Sequence, residues 1–290
     1  LHRLRDTNGD GQGDEVKAFV ADVDSPRGLV WDHDRLYLLH PPDVSVFIDK
    51  NGDGVFETKK VFAEKLNLVS GLELGFGGVW VGAAPHLLFI PDGNHDDVPD
   101  GPPQVLLDGW GFQDTHETLN SFTWGPDGWL YGCHGVFSHA LVGKPGTPAA
   151  ERTPVRAAVW RYHPTRHTFE VFAAGGSNQW GLDFNSVGHL FMTHCRSFYG
   201  GGGTSYVVRN GHYWNQANNS FAPFISNRGP DFAPDLKNYL LASARYDSGE
   251  GGAGKPGTTA VIMVERHSRR NRSTTKAARP IPSTIDKSVA

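Results

Sequence analysis

The sequence predicts an all-β fold made of repeated small sheets, and three features carry this prediction. A loop rich in aspartate recurs with a fixed period, and short strand-like segments recur between these loops. No stretch has the 3.6-residue apolar period of an amphipathic helix. The 290 residues include 36 Gly and 19 Pro, which supply the turns that many short strands need. A unit of about 40–45 residues with several strands is the size of one propeller blade, so we expect a β-propeller.

The period is set by three acidic loops. They begin at Asp6, Asp49 and Asp92, so successive first aspartates are 43 residues apart. The apolar segments between the loops repeat in the same phase. The matching segments are 28–31 with 71–74, and 36–38 with 79–81. Each unit therefore consists of short β-strands separated by Gly and Asp turns.

The pattern continues less regularly in the second half. Residues 122–131 and 182–191 repeat with a spacing of 60 residues. We place the added length in the Gly/Pro-rich stretch 135–158, and we predict a hairpin from 159–162 and 169–172. About four blades are expected, with the first strands forming the outer part of a preceding blade.

We predict one propeller domain over residues 1–262 and a basic, disordered tail over 263–290. Residues 266–290 carry seven Lys/Arg against Asp286 alone and have no apolar period. Four blades and partial blades do not complete a ring of the six-bladed type, because closure must join the last blade to the first. We therefore expect a truncated propeller.

Composition excludes several classes of protein. The counts of 27 Lys+Arg and 31 Asp+Glu nearly cancel, and the basic tail lacks interleaved aromatics, so nucleic-acid binding is disfavoured. No apolar run approaches the roughly 20 residues of a membrane-spanning helix, and no signal-peptide core follows Leu1. Cys133 and Cys195 cannot form a disulfide framework, and no C-x-x-C-H haem site is present.

Each acidic loop places oxygen ligands at its positions 1, 3, 5 and 9, as a hard cation such as Ca²⁺ requires. The ligand residues are Asp6, Asn8, Asp10 and Asp14; Asp49, Asn51, Asp53 and Glu57; and Asp92, Asn94, Asp96 and Asp100. Position 6 is Gly in the first two loops and Asp97 in the third. No loop has the bidentate Glu at position 12 of an EF-hand, so we expect structural calcium sites of modest affinity. Alternatively, the Asn-Gly and Asp-Gly pairs only form tight turns.

Three histidines occupy the same place in three of the four repeats. His40, His134 and His194 each stand four residues after the Leu that opens an inner strand, and the second repeat has Ala83 there. Equivalent positions in successive blades converge on the propeller axis. Three imidazoles in one funnel could hold a metal, a cofactor or a proton-transfer site. Alternatively, each histidine caps its strand by hydrogen bonding to a neighbouring blade. His116, just ahead of a strand, could reach the same funnel.

The segments Thr115–Phe137, 159–167 and 178–184 resemble those of the PVC-type membrane-bound dehydrogenases. These are large extracytoplasmic proteins whose N-terminal propeller is similar to pyrroloquinoline quinone (PQQ) sugar dehydrogenases and sorbosone dehydrogenases. The resemblance covers roughly residues 1–262 and implies a six-bladed propeller. Family members often continue into a haem c module, an electron acceptor for which this sequence has no attachment site.

The resemblance implies a catalytic residue and raises one disagreement. In quinoprotein sugar dehydrogenases a histidine shortly before a Gly-Pro-Asp turn takes the proton of the substrate hydroxyl. His116, ahead of Gly125-Pro126-Asp127, occupies that place. The same enzymes have an Arg-Asn-Pro-Gln-Gly-Leu segment whose arginine pairs with the cofactor. Ser177 replaces that arginine in this chain, and a serine cannot neutralise the carboxylates of PQQ.

Two functions are therefore predicted as alternatives. The first is an extracytoplasmic dehydrogenase-like propeller that oxidises a sugar or polyol with a quinone-type cofactor and uses His116 as its base. Its cofactor or substrate contacts would be His40, His134, His194, Asn120, Asn178, Gln179 and Arg196. The second is a calcium-stabilised propeller without catalysis that binds carbohydrate or protein at the funnel.

Overall fold

The computed structural model describes residues 1–115, 117–194 and 203–213. Within these ranges the chain forms twenty β-strands and one short 3-10 helix, Ala149–Glu151. The strands are β1 (His2–Arg5), β2 (Glu15–Ala18), β3 (Gly28–Asp32), β4 (Arg35–His40), β5 (Asp43–Ile48), β6 (Thr58–Ala63), β7 (Val69–Leu74), β8 (Gly78–Ala83), β9 (His86–Pro91), β10 (Gln104–Leu107), β11 (Asn120–Trp124), β12 (Leu130–His134), β13 (Ala140–Val142), β14 (Thr153–Val155), β15 (Ala158–His163), β16 (Thr168–Gly175), β17 (Gln179–Phe184), β18 (Leu190–His194), β19 (Gly203–Val207) and β20 (His212–Tyr213). The predicted tail 263–290 lies outside the described residues. No helix in the described part is long and apolar enough to cross a bilayer.

The sheets have the four-blade arrangement of a β-propeller, which confirms the predicted fold class. Blade I is β3-β4-β5-β6, and blade II is β7-β8-β9-β10. Blade III is β11-β12-β15-β16, with β20 added parallel to β16, and blade IV is β17-β18-β19. The predicted hairpin is confirmed as β15 and β16. The long insertion of blade III contains a second hairpin, β13–β14.

The period of the sequence is visible in the strands. Arg35 and Gly78 open β4 and β8, and Asp43 and His86 open β5 and β9, each pair 43 residues apart. The second and third acidic loops connect the third strand of a blade to the fourth. The first acidic loop connects β1 to β2, so this two-stranded sheet corresponds to the outer half of a preceding blade.

The chain enters each blade on its innermost strand. Strands β3, β7, β11 and β17 contact one another in that order around the axis. The histidine-bearing strands β4, β12 and β18 are the second strands of their sheets, which corrects the expectation that they are inner strands. The reason is that a meander starting at the axis places its second strand about 4.8 Å further out.

Each pair of neighbouring blades encloses its own apolar layer. Leu72, Val81 and Val46 lie between blades I and II, and Trp110 and Trp160 lie between blades II and III. Leu182 and Met192 of blade IV pack against Cys133 and Val159 of blade III. Buried aromatic and branched side chains of this size each contribute about 1.5–3 kcal/mol. The packing therefore fixes the blades against one another and sets the positions of the inner strands.

Candidate functional site

The predicted histidines lie at one face of the propeller. Adjacent antiparallel strands run in opposite directions, so the second strand of a blade ends where its inner strand begins. We call this the entry face. The inner strands begin there at Gly28, Val69, Asn120 and Gln179. The second strands end there at His40, Ala83, His134 and His194.

The inner strands are irregular at the entry face. Strands β7, β11 and β17 each shift register in their pairing with the second strand of the blade. Leu68, Ser121 and Asn178, at or next to these shifts, have left-handed φ values of 44°, 56° and 48°. Such conformations cost of the order of 1–3 kcal/mol and are enriched at functional sites. The entry face is therefore the candidate site.

A cavity of about 370 Å³ is bounded by the inner strands of all four blades. Its lining is apolar with a small number of polar groups, as in most sites for small molecules. Among the described residues its charged lining side chains are Arg27 and Asp183, and Phe122 and Trp180 supply aromatic surface. Ser70, Ser121, Thr193 and Thr204 add hydroxyl groups.

His40 and His134 have separate surroundings. His40 Nε2 lies 2.8 Å from Ser45 Oγ of its own blade, and burial together with the charge of Lys59 lowers the pKa of His40. His134 is completely buried against the ring of Trp110, with 5.3 Å between ring centroids. Burial lowers the pKa of His134 to about 4, so its imidazole is neutral. Neither histidine is among the described residues that line the cavity.

The other predicted catalytic and basic residues have a more limited description. His116 and Arg196 lie outside the described residues. For His194 the structure gives the strand position, opposite Gln179. The convergence of three imidazoles on one point stays a prediction.

The residues on either side of position 116 are placed beside the cavity. Arg27 lines the cavity, and its Nη1 donates to the carbonyl of Thr115 at 3.0 Å. Glu117 is buried, with a relative exposure of 3%. Its carbonyl accepts a hydrogen bond of 2.9 Å from the amide of Gly135, directly after β12. The loop around position 116 therefore spans from the cavity to blade III.

Asn120, Asn178 and Gln179 hold the starts of the inner strands. Asn120 Nδ2 donates to the Thr118 carbonyl at 2.9 Å, and Gln179 Nε2 donates to the Gly175 carbonyl at 2.6 Å. Asn178 Oδ1 accepts from the amide of Val136 at 3.2 Å. These bonds shape the backbone at the entry face. Ligand contacts by the three amides stay predictions.

Two acids near the inner strands were not singled out by the sequence reasoning. Burial is the main cause that raises the pKa of Glu117 to about 9; the charge of Asp114 acts in the same direction and that of Arg27 opposes it. Burial is also the main cause that raises the pKa of Glu73 on β7 to about 7; the hydrogen bond from the Leu74 amide opposes the shift, and the charge of Asp183 acts with burial. In the sequence, the available signal was an acid within or shortly ahead of an apolar strand: Glu73 lies within β7, and Glu117 precedes the start of β11 at Asn120.

The acidic loops lie at the opposite face and share a hydrogen-bond pattern. Asp49 Oδ1 accepts from the amide of Gly52 at 2.7 Å, and its Oδ2 accepts from the amide of Gly54 at 3.0 Å. Asp6 binds the amides of Gly9 and Gly11 in the same way. One oxygen each from Asp49, Asp53 and Glu57 lies within 4.8 Å of the others. The second loop therefore gathers carboxylates as a metal site would.

The third loop is contacted by cationic side chains of the neighbouring blade. Asp97 is 2% exposed and accepts from Arg35 at 3.0 Å and from the hydroxyl of Tyr37 at 2.7 Å. Lys60 Nζ lies 3.7 Å from its other oxygen. These three partners belong to blade I, so the third loop ties blade II to blade I.

Several solved propeller structures are similar to this chain. An oxidoreductase described as a glucose dehydrogenase from Thermus thermophilus is 17% identical with a TM-score of 0.46, over 74% of this chain and 68% of that one. The PQQ-bound aldose sugar dehydrogenase of Streptomyces coelicolor is 16% identical with a TM-score of 0.49, over 70% of this chain and 66%, just under two thirds, of that enzyme. A structure described as a gluconolactonase is 14% identical with a TM-score of 0.42, over 68% of this chain and 66% of that one. No protein of curated function matches the chain at a significant level of similarity.

One family model matches most of the chain. The match runs over residues 32–260, so it covers the second and third acidic loops and blades II, III and IV, and it begins at the end of β3 in blade I. The chain therefore belongs to the family described as a domain of unknown function, DUF7133.

Proposed function

We propose that this chain is a dehydrogenase-like propeller that binds a sugar or polyol at the entry face, with His116 as the base for the reacting hydroxyl. The contact between cavity-lining Arg27 and the carbonyl of Thr115 is the observation that supports the proposal, because Thr115 directly precedes His116 in the sequence. The motif Thr115–Phe137 supports the same role through its resemblance to quinoprotein sugar dehydrogenases.

The chemistry of the cavity suits a polyhydroxylated substrate. Arg27 and Asp183 can exchange hydrogen bonds with hydroxyl groups, and Phe122 and Trp180 offer apolar faces to the ring of a sugar. A neutral imidazole at His116 would accept the hydroxyl proton. Loss of that proton would raise electron density on the carbinol carbon, and an oxidising cofactor would be needed to accept the hydride.

The described residues do not by themselves fit PQQ. This quinone carries several carboxylates and needs cations around it. Arg27 is the one cationic side chain among the described residues that line the cavity. Buried Ser177 stands where the related enzymes have an arginine. We therefore derive no step through PQQ.

We propose calcium as a structural ion of the acidic loops. The grouping of Asp49, Asp53 and Glu57 supports a site in the second loop, since carboxylate oxygens are the ligands Ca²⁺ prefers. The loops lie at the face opposite the cavity, so the ion would stabilise the blades without entering the reaction.

Dye-linked dehydrogenase assays on a panel of sugars and polyols, with PQQ and Ca²⁺ added, test the proposed function. We expect turnover by the wild-type chain and a loss of about 10²–10⁴-fold in kcat for His116→Ala, the range for removing a general base. His33→Ala, an exposed histidine on the β3–β4 turn, is the control and should keep wild-type activity. Equal activity of the two variants would overturn the role of His116.

A second function is supported by Ser177. If the missing arginine abolishes cofactor binding, the chain is a non-catalytic propeller that binds carbohydrate or protein at the entry face. Calorimetric titration with PQQ separates the two: no binding, together with no turnover but retained affinity for a sugar of the panel, would favour the second function.

The resemblance also supports an extracytoplasmic location, a place within a PVC-type membrane-bound dehydrogenase, and a haem c domain as electron acceptor in full-length relatives. Cell fractionation with an antibody against this chain would test the location.

A further inference from the structure

Glu117 is a buried acid with few neighbouring groups that could stabilise a negative charge on its side chain. Its Oε2 is buried and has no hydrogen-bond partner among the described residues. Buried polar atoms are nearly always paired, and a buried carboxylate without a counter-ion is costly. The surroundings of Glu117 therefore disfavour the ionised form of its side chain.

The charged and titratable groups around Glu117 come from three elements. Arg27 approaches from the segment before β3, Asp114 lies on the same loop as Glu117, and the Cys133 thiol lies on β12. Arg27 donates to the Thr115 carbonyl, and no ion pair with Glu117 occurs in the part of the chain that the structure describes. One cation and one nearby anion leave the carboxylate without net stabilisation.

The loop of Glu117 joins several blades. A methyl group on Gly135 would overlap Glu117, so the two backbones are in direct contact. Thr118 Oγ1 lies 2.7 Å from Ser70 Oγ on β7 of blade II. An ion at Glu117 would have to be hydrated or paired, and hydration of this buried side chain would compete with these contacts.

We propose that Glu117 is held as a neutral carboxylic acid and is a positioning residue that keeps Glu117 and Thr118, directly after position 116, seated on the entry face. Its raised pKa of about 9 agrees with the geometry. Because Glu117 is the next residue after His116, its protonation should also affect the proposed base, and only this effect rests on the proposed function. The seating of the loop is a property of the fold.

Because Glu117 has different pKa values in the folded and unfolded chain, its ionisation makes the stability of the fold depend on pH. The folded chain keeps the Glu117 proton up to about pH 9, whereas the unfolded chain releases it near the ordinary value of 4.5. The unfolded state thus binds fewer protons between these values, so the stabilisation is complete below 4.5 and is lost as pH rises to about 9.

The test compares the unfolding equilibrium constants of the full wild-type chain and Glu117→Gln by urea titration from pH 5 to pH 9. We expect the wild-type constant to rise about tenfold per pH unit relative to the variant. Glu64→Gln, at an exposed acid, should run parallel to wild type. Wild-type and Glu117→Gln curves that stay parallel would overturn the proposal.

Two further measurements keep the proposal testable. If Glu117→Gln does not fold, carboxyl ¹³C NMR of the wild type should show one glutamate that stays protonated at about pH 8, where Glu73, with a pKa of about 7, is mostly ionised. The lack of that signal would refute the proposal. Hydrogen exchange at the Gly135 amide should stay slow in Glu117→Gln and accelerate in Glu117→Ala. Equal exchange in both would refute the positioning role.

Kinetic measurements test the link between Glu117 and His116 separately from the unfolding experiments. If the wild type turns over a polyol, the alkaline limb of its kcat profile should move to higher pH in Glu117→Gln, and an unmoved limb would contradict the link to His116. A wild type without turnover overturns the proposed function alone, because the unfolding comparison does not use activity.

Discussion

Asp97 stands at the position that Gly11 and Gly54 occupy in the other two acidic loops, and all three residues have left-handed backbone conformations, with φ values of 64°, 86° and 90°. Glycine adopts this conformation freely, whereas aspartate pays a steric cost of about 1–2 kcal/mol. The hydrogen bonds from Arg35 and Tyr37 offset that cost. The steric cost of the left-handed backbone at Asp97 is therefore outweighed by the hydrogen bonds that its side chain makes to blade I.

We expect Asp97→Ala to destabilise the chain by about 1–3 kcal/mol. The substitution leaves Arg35 and the hydroxyl of Tyr37 without their buried acceptor, and partial exposure of Arg35 keeps the loss below that of a fully buried pair. Urea unfolding of the variant measures the change. Glu64→Ala, at an exposed acid, should change stability by less than about 0.5 kcal/mol, and an equal effect of the two would contradict this account.

At the scale of elements, the acidic loops join neighbouring sheets through a repeated contact. Lys17 on β2 donates to the carbonyl of Asp53 at 2.5 Å, and Lys60 on β6 donates to the carbonyl of Asp96 at 2.6 Å. In both cases a lysine on the outermost strand of one sheet reaches the acidic loop of the next. Arg3 on β1 adds an ion pair of 2.8 Å to Asp49. The loops are thus part of the contact between sheets, and an ion bound in them would stabilise that contact.

Calcium should raise the melting temperature of the wild-type chain by about 4 °C or more at about 10 mM, because binding to the folded state adds roughly 2–3 kcal/mol at saturating concentrations. Asp53→Asn should remove a large part of this shift, since it removes one charge from the Asp49, Asp53 and Glu57 cluster.

The matched control is Asp32→Asn, which removes a partly exposed acid outside the loops and should keep the full calcium response. Mg²⁺ at the same concentration should give a smaller shift, because it requires near-ideal octahedral geometry. A wild type whose melting temperature does not respond to calcium would refute the proposed ion.

At the scale of the whole molecule, stability is distributed over the layers between blades. All six residues of β8 are buried, and β8 is hydrogen-bonded on both sides by β7 and β9. By contrast, β1 and β2 pair only with each other among the described residues, and Leu4 and Val16 are 65% and 60% exposed. Local opening should therefore start at β1–β2 and involve β8 last.

Hydrogen exchange followed by mass spectrometry tests this order. Peptides that cover 78–83 should exchange with the protection of global unfolding, and peptides that cover 2–18 should exchange at least about a hundredfold faster, since sub-global opening costs less free energy. Comparable rates in the two segments would show that β1–β2 opens only with the blades.

The repeat was accessible from the sequence because it depends on local chemistry. Asp-Gly and Asn-Gly turns and alternating apolar strands are specified within about ten residues, so the segments that form β3 and β7, and those that form β4 and β8, were found at their spacing of 43 residues. The hairpin of β15 and β16 followed from the same pattern.

The candidate site was less accessible from the sequence, because it depends on contacts between residues of different blades. The order of strands from the axis, which puts His40 and His134 on second strands, follows from how whole sheets pack, and no local pattern encodes it. The burial of Glu117 and the approach of Arg27 to Thr115 join segments 88 residues apart, and Asp97 finds partners about 60 residues away. The sequence by itself thus determined the strands, turns and period of this protein, which are fixed by neighbours along the chain. The charge environment of its acids and histidines was decided only by the tertiary structure, because burial and long-range contacts set the free energy of each charged group.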